Sequence, residues 1–186
     1  MHKIKSIISI IVVIMVNILS LSGQEPFEKD TFTAGKGTLE ITFIGHGTLM
    51  LSWNGYIIHI DPVSGEADYS TLPDADMILV THEHGDHLDP SAIGKIMKKG
   101  TLVICNGGSA SRIDNPTRMK NGDKSEFDGI MVEAVPAYNI VNQRSPGNPF
   151  HPKGTGNGYI LDIGGKRVYI AGDTENIPEM TGFREG

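Results

Sequence analysis

Cysteine is almost missing from this 186-residue sequence, which contains only Cys105. One cysteine cannot form a disulfide within the chain, so the fold must rest on its apolar core. Cys105 closes the apolar run TLVIC, and this position predicts a buried strand end rather than a reactive thiol. A small disulfide-stapled scaffold is therefore excluded.

Positive charge is also scarce in the sequence. Lys and Arg total 16 against 22 Asp and Glu, and the net charge is −6 at pH 7. No basic run interleaved with aromatic residues offsets this balance. Because a negative surface repels phosphate backbones, we expect no nucleic-acid partner.

Long hydrophobic runs are confined to the N-terminus, where the basic start MHKIK precedes the apolar stretch 7–21 and the small residues before Gly23. This order predicts a signal peptide at residues 1–23 and an exported protein, periplasmic or secreted. The alternative is an uncleaved membrane anchor, for which the run is short, so membrane contact is expected only through this segment. Residues 24–37 are interpreted as a linker or a loose first strand, and residues 38–186 as one domain.

Short apolar runs separated by glycine-rich turns predict a series of strands. They lie at residues 39–44, 48–53, 56–60, 76–80, 101–104, 130–135, 159–163 and 167–171. The pair Asn54-Gly55 predicts a tight hairpin between two of them. Two long loops, 106–128 and 136–158, remain between strands, and long loops on a strand scaffold often carry functional sites.

A single helix is predicted after the fourth strand. Asp89 is placed as its N-cap with Pro90 in the first turn, and Gly100 as its end. Residues Ile93, Ile96 and Met97 are expected on its buried face.

The segment THEHGDHLD (residues 81–89) gathers three histidines and several acids directly after the apolar run MILV. In an extended backbone, residues i and i+2 face the same way, so His82 and His84 can bind one cation. Gly85 lets the chain turn, and Asp86 and His87 can then face a second cation. Imidazole and carboxylate together suit zinc, with manganese or iron also possible.

The alternative for this segment is a polar loop that caps the following helix. Asp89 already fills that role, and capping does not require four ligand-type residues in six positions. A zincin helix is excluded, because its H-E-x-x-H pattern would need histidine where Asp86 stands.

The motif resembles the H-x-H-x-D-H signature of the metallo-β-lactamase superfamily. Asp61 in IIHIDPV resembles the superfamily's early supporting aspartate, and Asp173 in VYIAGDT resembles its metal-bridging aspartate. The segment IGHGTLML around His46 is similar to the G-H-x-T opening of the lactonase-like and phosphodiesterase-like branch. The resemblance implies an α/β fold, the four-layer αβ/βα sandwich, of which this chain would hold the N-terminal half and part of the second half.

The same resemblance implies two divalent metal ions, most readily zinc, with manganese or iron possible. The implied ligands are His82, His84, Asp86, His87, His151 and Asp173. His151 is the histidine available in the loop after EAVPAY; its alternatives are packing on Phe150 or binding substrate. Taken alone, Asp173 could also belong to an ordinary turn. His46 and His59 are predicted within strands, in structural roles, although His46 could reach the pocket rim.

The chain departs from the superfamily pattern at its C-terminus. It ends at MTGFREG, soon after the GDT motif, and no histidine follows His151. We expect either a truncated product of a longer gene, which would leave an apolar sheet face uncovered, or completion of the fold by another chain. Truncation is the favoured expectation.

The implied activity is hydrolysis of an ester, lactone or phosphodiester bond in a small-molecule or lipid-like substrate. A metal-bound hydroxide would attack, and Asp86 would act as the catalytic residue that orients it. β-Lactam cleavage is less expected. The alternatives are a catalytically impaired metal-binding fragment and, ranked lower, a di-iron redox protein. The sequence does not indicate the oligomeric state.

Overall fold

Two β-sheets packed face to face form the body of the protein. The computed structural model describes residues 27–183, so the predicted signal peptide lies outside the described residues. Within residues 27–183, no helix is both long enough and apolar enough to cross a membrane.

The first sheet has seven strands that lie side by side in chain order. Strands β1 to β4 are antiparallel, and β4 to β7 are parallel. The strands are β1 (Glu28–Ala34), β2 (Gly37–Gly45), β3 (Thr48–Trp53), β4 (Tyr56–Ile60), β5 (Ala75–Val80), β6 (Met97–Cys105) and β7 (Thr117–Arg118). The segment interpreted as a linker or loose first strand thus contains β1, which pairs along its whole length with β2.

The second sheet has four antiparallel strands in the order β13-β12-β9-β8. Its strands are β8 (Lys124–Phe127), β9 (Ile130–Ala137), β12 (Gly156–Ile163) and β13 (Lys166–Ile170), and the remaining pair β10 (Gln143–Ser145) and β11 (Asn148–Pro149) forms a small separate hairpin. The two stretches predicted as long loops therefore contain short strands. Two 3₁₀ turns, Ser109–Arg112 and Pro178–Gly182, complete the described elements.

Turn chemistry explains the β3–β4 hairpin. Asn54 and Gly55 adopt φ angles of 51° and 84°, the left-handed region that a two-residue turn of this kind requires. Trp53 pairs with Tyr56 across the turn, so the predicted hairpin is confirmed.

The α-helix α1 (Pro90–Ile96) begins as predicted but ends early. The Asp89 carboxylate accepts a hydrogen bond from the Ser91 amide, as expected of an N-cap. Met97 is already extended, with ψ 133°, and pairs with Ala75 of β5. The prediction that the helix runs to Gly100 with Met97 on its buried face was wrong, because strand pairing takes over this segment; the Met97 side chain is 41% exposed.

Two apolar cores hold the layers together. One lies between the sheets and includes Leu51, Ile60, Val132 and Leu161; the other lies between the first sheet and α1. The described residues thus form helix, sheet and sheet layers, which confirms the predicted α/β class. They place no α-helix on the outer face of the second sheet, where Met131 is 38% exposed.

Candidate metal centre

The histidine cluster starts where strand β5 ends. The buried run ADMILV forms β5, and Thr81 and His82 follow it at the carboxyl edge of the parallel strands. Segments that leave this edge converge, so this is where an α/β sheet can build a site. Asn157 of β12 donates its backbone N–H to the Thr81 carbonyl, which joins the second sheet to the same point.

Three histidines form the first candidate ligand set. His84 Nδ1 lies 3.1 Å from His82 Nε2 and 3.1 Å from His151 Nε2. One ring nitrogen of each residue falls within 4.8 Å of the other two. The structure therefore brings His151 from its distant loop to the pair that the sequence motif predicts.

His46, His87 and Asp173 form the second candidate set, again with ligand atoms within 4.8 Å of one another. Asp173 lies between the two sets. Its Oδ1 is 3.1 Å from His87 Nε2, and its Oδ2 is 3.2 Å from His151 Nε2. One carboxylate thus faces both candidate sites, as a bridging ligand would.

Asp86 lies at the edge of this arrangement. Its side chain is 61% exposed, and its Oδ2 is 3.4 Å from His46 Nε2. It belongs to neither of the two three-residue sets. The ligand and catalytic roles of Asp86 remain predictions.

His46 occupies a different position from the one predicted. It lies in the turn between β2 and β3 with φ 47°, not within a strand, and its ring faces His87 at a centroid distance of 5.1 Å. The prediction was wrong, although the separate strands predicted at 39–44 and 48–53 already leave residue 46 between them. His59, by contrast, lies buried in β4 with Nε2 3.0 Å from the Pro73 carbonyl oxygen.

A buried network orients His87. Its Nδ1 is 2.8 Å from Asp61 Oδ2, and Asp61 accepts hydrogen bonds from both the amide and the hydroxyl of Thr81. Asp61 itself has φ 45°, so its backbone is held in an uncommon conformation at this point. Asp61 thus directs Nε2 of His87 towards Asp173.

A second network, which the sequence did not reveal, orients His151. Asn139 Oδ1 accepts from the His151 amide and lies 2.8 Å from His151 Nδ1. The Glu175 carboxylate then accepts bonds from the Asn139 side chain and from the backbone amides of 140–142. Polar residues in a loop show no periodic sequence pattern. The roles of Asn139 and Glu175 therefore become visible only where the folded chain brings them together at His151.

The pKa values of several side chains in the site are shifted far from their ordinary values. Burial, followed by the charge of His87, lowers the pKa of His82 to about 4. Burial alone lowers the pKa of His87, but the carboxylates of Asp173 and Asp61 outweigh it and raise the pKa to about 10. The contact with His87 lowers the pKa of Asp173 to about 2. Such opposed shifts are typical of functional sites.

The donor atoms suit divalent cations. Nε2 of His87 is buried and has no hydrogen-bond partner among residues 27–183, and its contact with Asp173 lacks hydrogen-bond geometry. A buried nitrogen whose contact is an ion pair without hydrogen-bond geometry is incompletely satisfied, and a bound cation would complete it. Neutral imidazoles and a carboxylate are the ligands that zinc binds best.

Two open clefts meet at Asp173. One, of about 410 Å³, runs along Asn142 and Phe150, and the other, of about 430 Å³, runs between His46 and Tyr169. Both candidate ligand sets therefore face solvent-accessible space large enough for a small molecule.

Comparisons with known proteins identify the family of this chain. A family model described as a beta-lactamase superfamily domain matches residues 40–185. The chain is 32% identical over 156 residues to a UPF0173 metal-dependent hydrolase from Thermococcus kodakarensis, with 79% of this chain and 66% of that protein covered. A similarly described protein from Pyrococcus horikoshii is 32% identical over 160 residues, covering 79% and 67%. The chain spans about two thirds of the length of these curated relatives.

Solved structures give the same result. A protein from Parabacteroides distasonis, assigned as a metal-dependent hydrolase, is 50% identical with a TM-score of 0.77, covering 83% of this chain and 70% of that one. A diiron beta-hydroxylase from Streptomyces venezuelae shares only the fold, at 19% identity and a TM-score of 0.56, covering 80% and 32%. The fold alone therefore does not determine the chemistry. The resemblance found in the sequence is confirmed, and the chain belongs to the metallo-β-lactamase superfamily.

Proposed function

We propose that this protein is a metal-dependent hydrolase that cleaves an ester, lactone or phosphodiester bond. The observation that carries the proposal is the pair of ligand sets joined by Asp173, which opens onto two clefts. The metal-dependent hydrolases among the relatives support it. A serine or cysteine nucleophile is not required by such a site.

The residues divide naturally between two cations. His82, His84 and His151 would hold the first, His87 would hold the second, and Asp173 would contact both. Zinc is the proposed metal because imidazole ligands dominate. When bound, two such cations act as Lewis acids and lower the pKa of a coordinated water towards about 7.

Asp86 is the proposed proton carrier at the mouth of the site. Its carboxylate is exposed and lies 3.4 Å from His46, so Oδ2 can accept a proton from the reacting centre and pass it to solvent. Groups within such reach act as general acids and bases. Asp86 would also orient the attacking water.

The rim of the site favours a substrate with an apolar portion. Phe150 is 44% exposed and lines the cleft beside His151. Ile140 and Val141, 47% and 76% exposed, lie in the chain between Asn139 and Asn142, which line the same cleft. Exposed apolar side chains grouped at a cleft mark a binding surface. A small lipid-like ester, lactone or phosphodiester fits this rim, whereas the acidic chain does not favour nucleic acid.

We also propose that the protein is exported to the periplasm or secreted. The support is the sequence of residues 1–23 alone, with its basic start and apolar stretch. Processing near residue 23 would be visible as the N-terminal sequence of the protein recovered from cells.

Metal content and turnover measured together test the proposed hydrolase. We expect about two zinc ions per chain, and an unfolding temperature that falls when a chelator removes them. We also expect turnover of an aryl ester, a lactone or bis-p-nitrophenyl phosphate. His84→Ala should lower turnover roughly 100-fold or more, because it removes a metal ligand, whereas Lys166→Ala on exposed β13 should not.

The outcomes separate the alternatives raised by the sequence. Two ions without turnover of any of these substrates would favour a metal-binding chain that is catalytically impaired. Bound iron with a visible absorption band would favour redox chemistry. Absence of stoichiometric metal would overturn the proposal.

A further inference from the structure

The β2–β3 turn presses against the second ligand set. His46 follows Gly45, with φ 159°, and itself adopts φ 47°, an uncommon conformation for a residue with a side chain. A Cβ added to Gly47 would lie 2.9 Å from Cε1 of His87. The turn thus approaches His87 as closely as a glycine permits.

Asp61 connects this turn to His87 from the other side. Thr48, the first residue of β3, donates its hydroxyl to the Asp61 carbonyl oxygen at 2.7 Å, and the Asp61 carboxylate contacts His87. The turn and the histidine are therefore held by the same residue. Uncommon backbone conformations that are fixed from several sides occur preferentially at functional sites.

The ligand atoms of His46, His87 and Asp173 lie close enough to one another to share one ion. Zinc–ligand bonds of about 2.0–2.1 Å in a tetrahedron place neighbouring ligand atoms about 3.3 Å apart. His87 Nε2 is 3.1 Å from Asp173 Oδ1, and one ring nitrogen of His46 lies within 4.8 Å of the ligand atoms of both residues. In the first candidate set, His82 Nε2 and His84 Nδ1 are likewise 3.1 Å apart.

We propose that His46 is a ligand of the second cation, which it binds together with His87 and Asp173. This inference rests on the proposed function, since it concerns one of the two cations, and it gives the second cation a nitrogen ligand from the β2–β3 turn. It also explains why His46, which is half-exposed, takes a strained turn position that points its ring at His87.

His46→Gly is the informative variant, because glycine adopts φ 47° freely and the turn should persist. Asn54→Gly is the matched control: Asn54 has φ 51° in the hairpin at the opposite end of β3. Zinc binding to the full chain would be followed by chelator competition, and cobalt substitution would report on each site by its absorption. Free imidazole would then be added to each variant.

We expect the unaltered chain and Asn54→Gly to bind two ions, and His46→Gly to bind the second ion at least about 10–100-fold more weakly. Millimolar imidazole should restore the second ion in His46→Gly, because it replaces the missing nitrogen.

Unchanged affinity of His46→Gly for the second ion would overturn the inference. A loss that imidazole does not restore would also overturn it, because the position of the turn rather than the nitrogen would then be responsible. If the unaltered chain binds only one ion, this inference is overturned but the first metal site stands. If the unaltered chain binds no ion, the proposed function is overturned as well.

Discussion

Asp61 Oδ2 lies 2.8 Å from His87 Nδ1, and both side chains are 1% exposed. The pair is therefore fully removed from water. Asp61 fixes which nitrogen of His87 faces the clefts, since Nδ1 is engaged and Nε2 remains available. At metal sites a carboxylate commonly accepts a hydrogen bond from the histidine nitrogen that does not face the metal.

Replacing Asp61 with asparagine should weaken the second site. We expect Asp61→Asn to lower the affinity for the second ion about 10–100-fold. Breaking a buried charged pair should also cost about 3–5 kcal/mol of the free energy of unfolding. Chelator competition and urea unfolding of the metal-free protein measure the two effects. Asp30→Asn, on the exposed strand β1, is the control, and equal behaviour of the two variants would contradict the role of Asp61.

Asn139 should control the first site in the same manner. Its Oδ1 holds Nδ1 of His151, which leaves Nε2 free to face His84. We expect Asn139→Ala to weaken binding of the first ion about 10–100-fold, because the ring loses its orientation. Titration with zinc under chelator competition measures this change. Gln143→Ala in the neighbouring hairpin should bind as the unaltered chain does, and an Asn139→Ala site of full affinity would refute the prediction.

The pKa values of the histidines predict which of the two ions displaces a proton from the protein when it binds. At pH 7, His87 with a pKa of about 10 carries a proton in the metal-free protein, whereas His82 with a pKa of about 4 is neutral. Because a ligand must lose its proton, the second ion should displace about one proton from His87, and the first none from His82. Lowering the pH should therefore weaken binding of the second ion before that of the first, by about tenfold in affinity per pH unit.

Calorimetric titration in buffers of different ionisation enthalpy counts these protons. An equal release for both ions, or none for the second, would contradict the predicted charge of His87. The variant Asp61→Asn should release fewer protons when the second ion binds, since the loss of a carboxylate lowers the pKa of His87.

Tyr159 should contribute to stability rather than to metal binding. Its buried hydroxyl donates to the Val80 carbonyl at 2.8 Å and joins the two sheets. Tyr159→Phe should cost about 1–3 kcal/mol of unfolding free energy, because the bond between the sheets is lost. Tyr169→Phe, at a 37% exposed tyrosine on the outer face, should cost far less. Urea unfolding of both variants gives the comparison, and equal losses would disprove it.

Local features of the fold and the site were predictable from the sequence. The i, i+2 spacing of His82 and His84, the Asn54-Gly55 hairpin and the Asp89 N-cap depend on neighbours within a few residues. Apolar runs also located most strands, because a strand buried on both faces needs no distant information to be recognised. The end of α1 was mispredicted, since pairing of Met97 with β5 is a tertiary effect.

Only the tertiary structure decided how the site is assembled. His46 comes from the β2–β3 turn, His151 from a loop and Asp173 from the end of the second sheet, and they meet because the sheets pack face to face. The sequence determined which donor groups exist and which two share a strand end. Sheet packing determined that Asp173 faces both histidine sets, because distances between residues far apart in the chain depend on how the layers close and leave no periodic trace in the sequence.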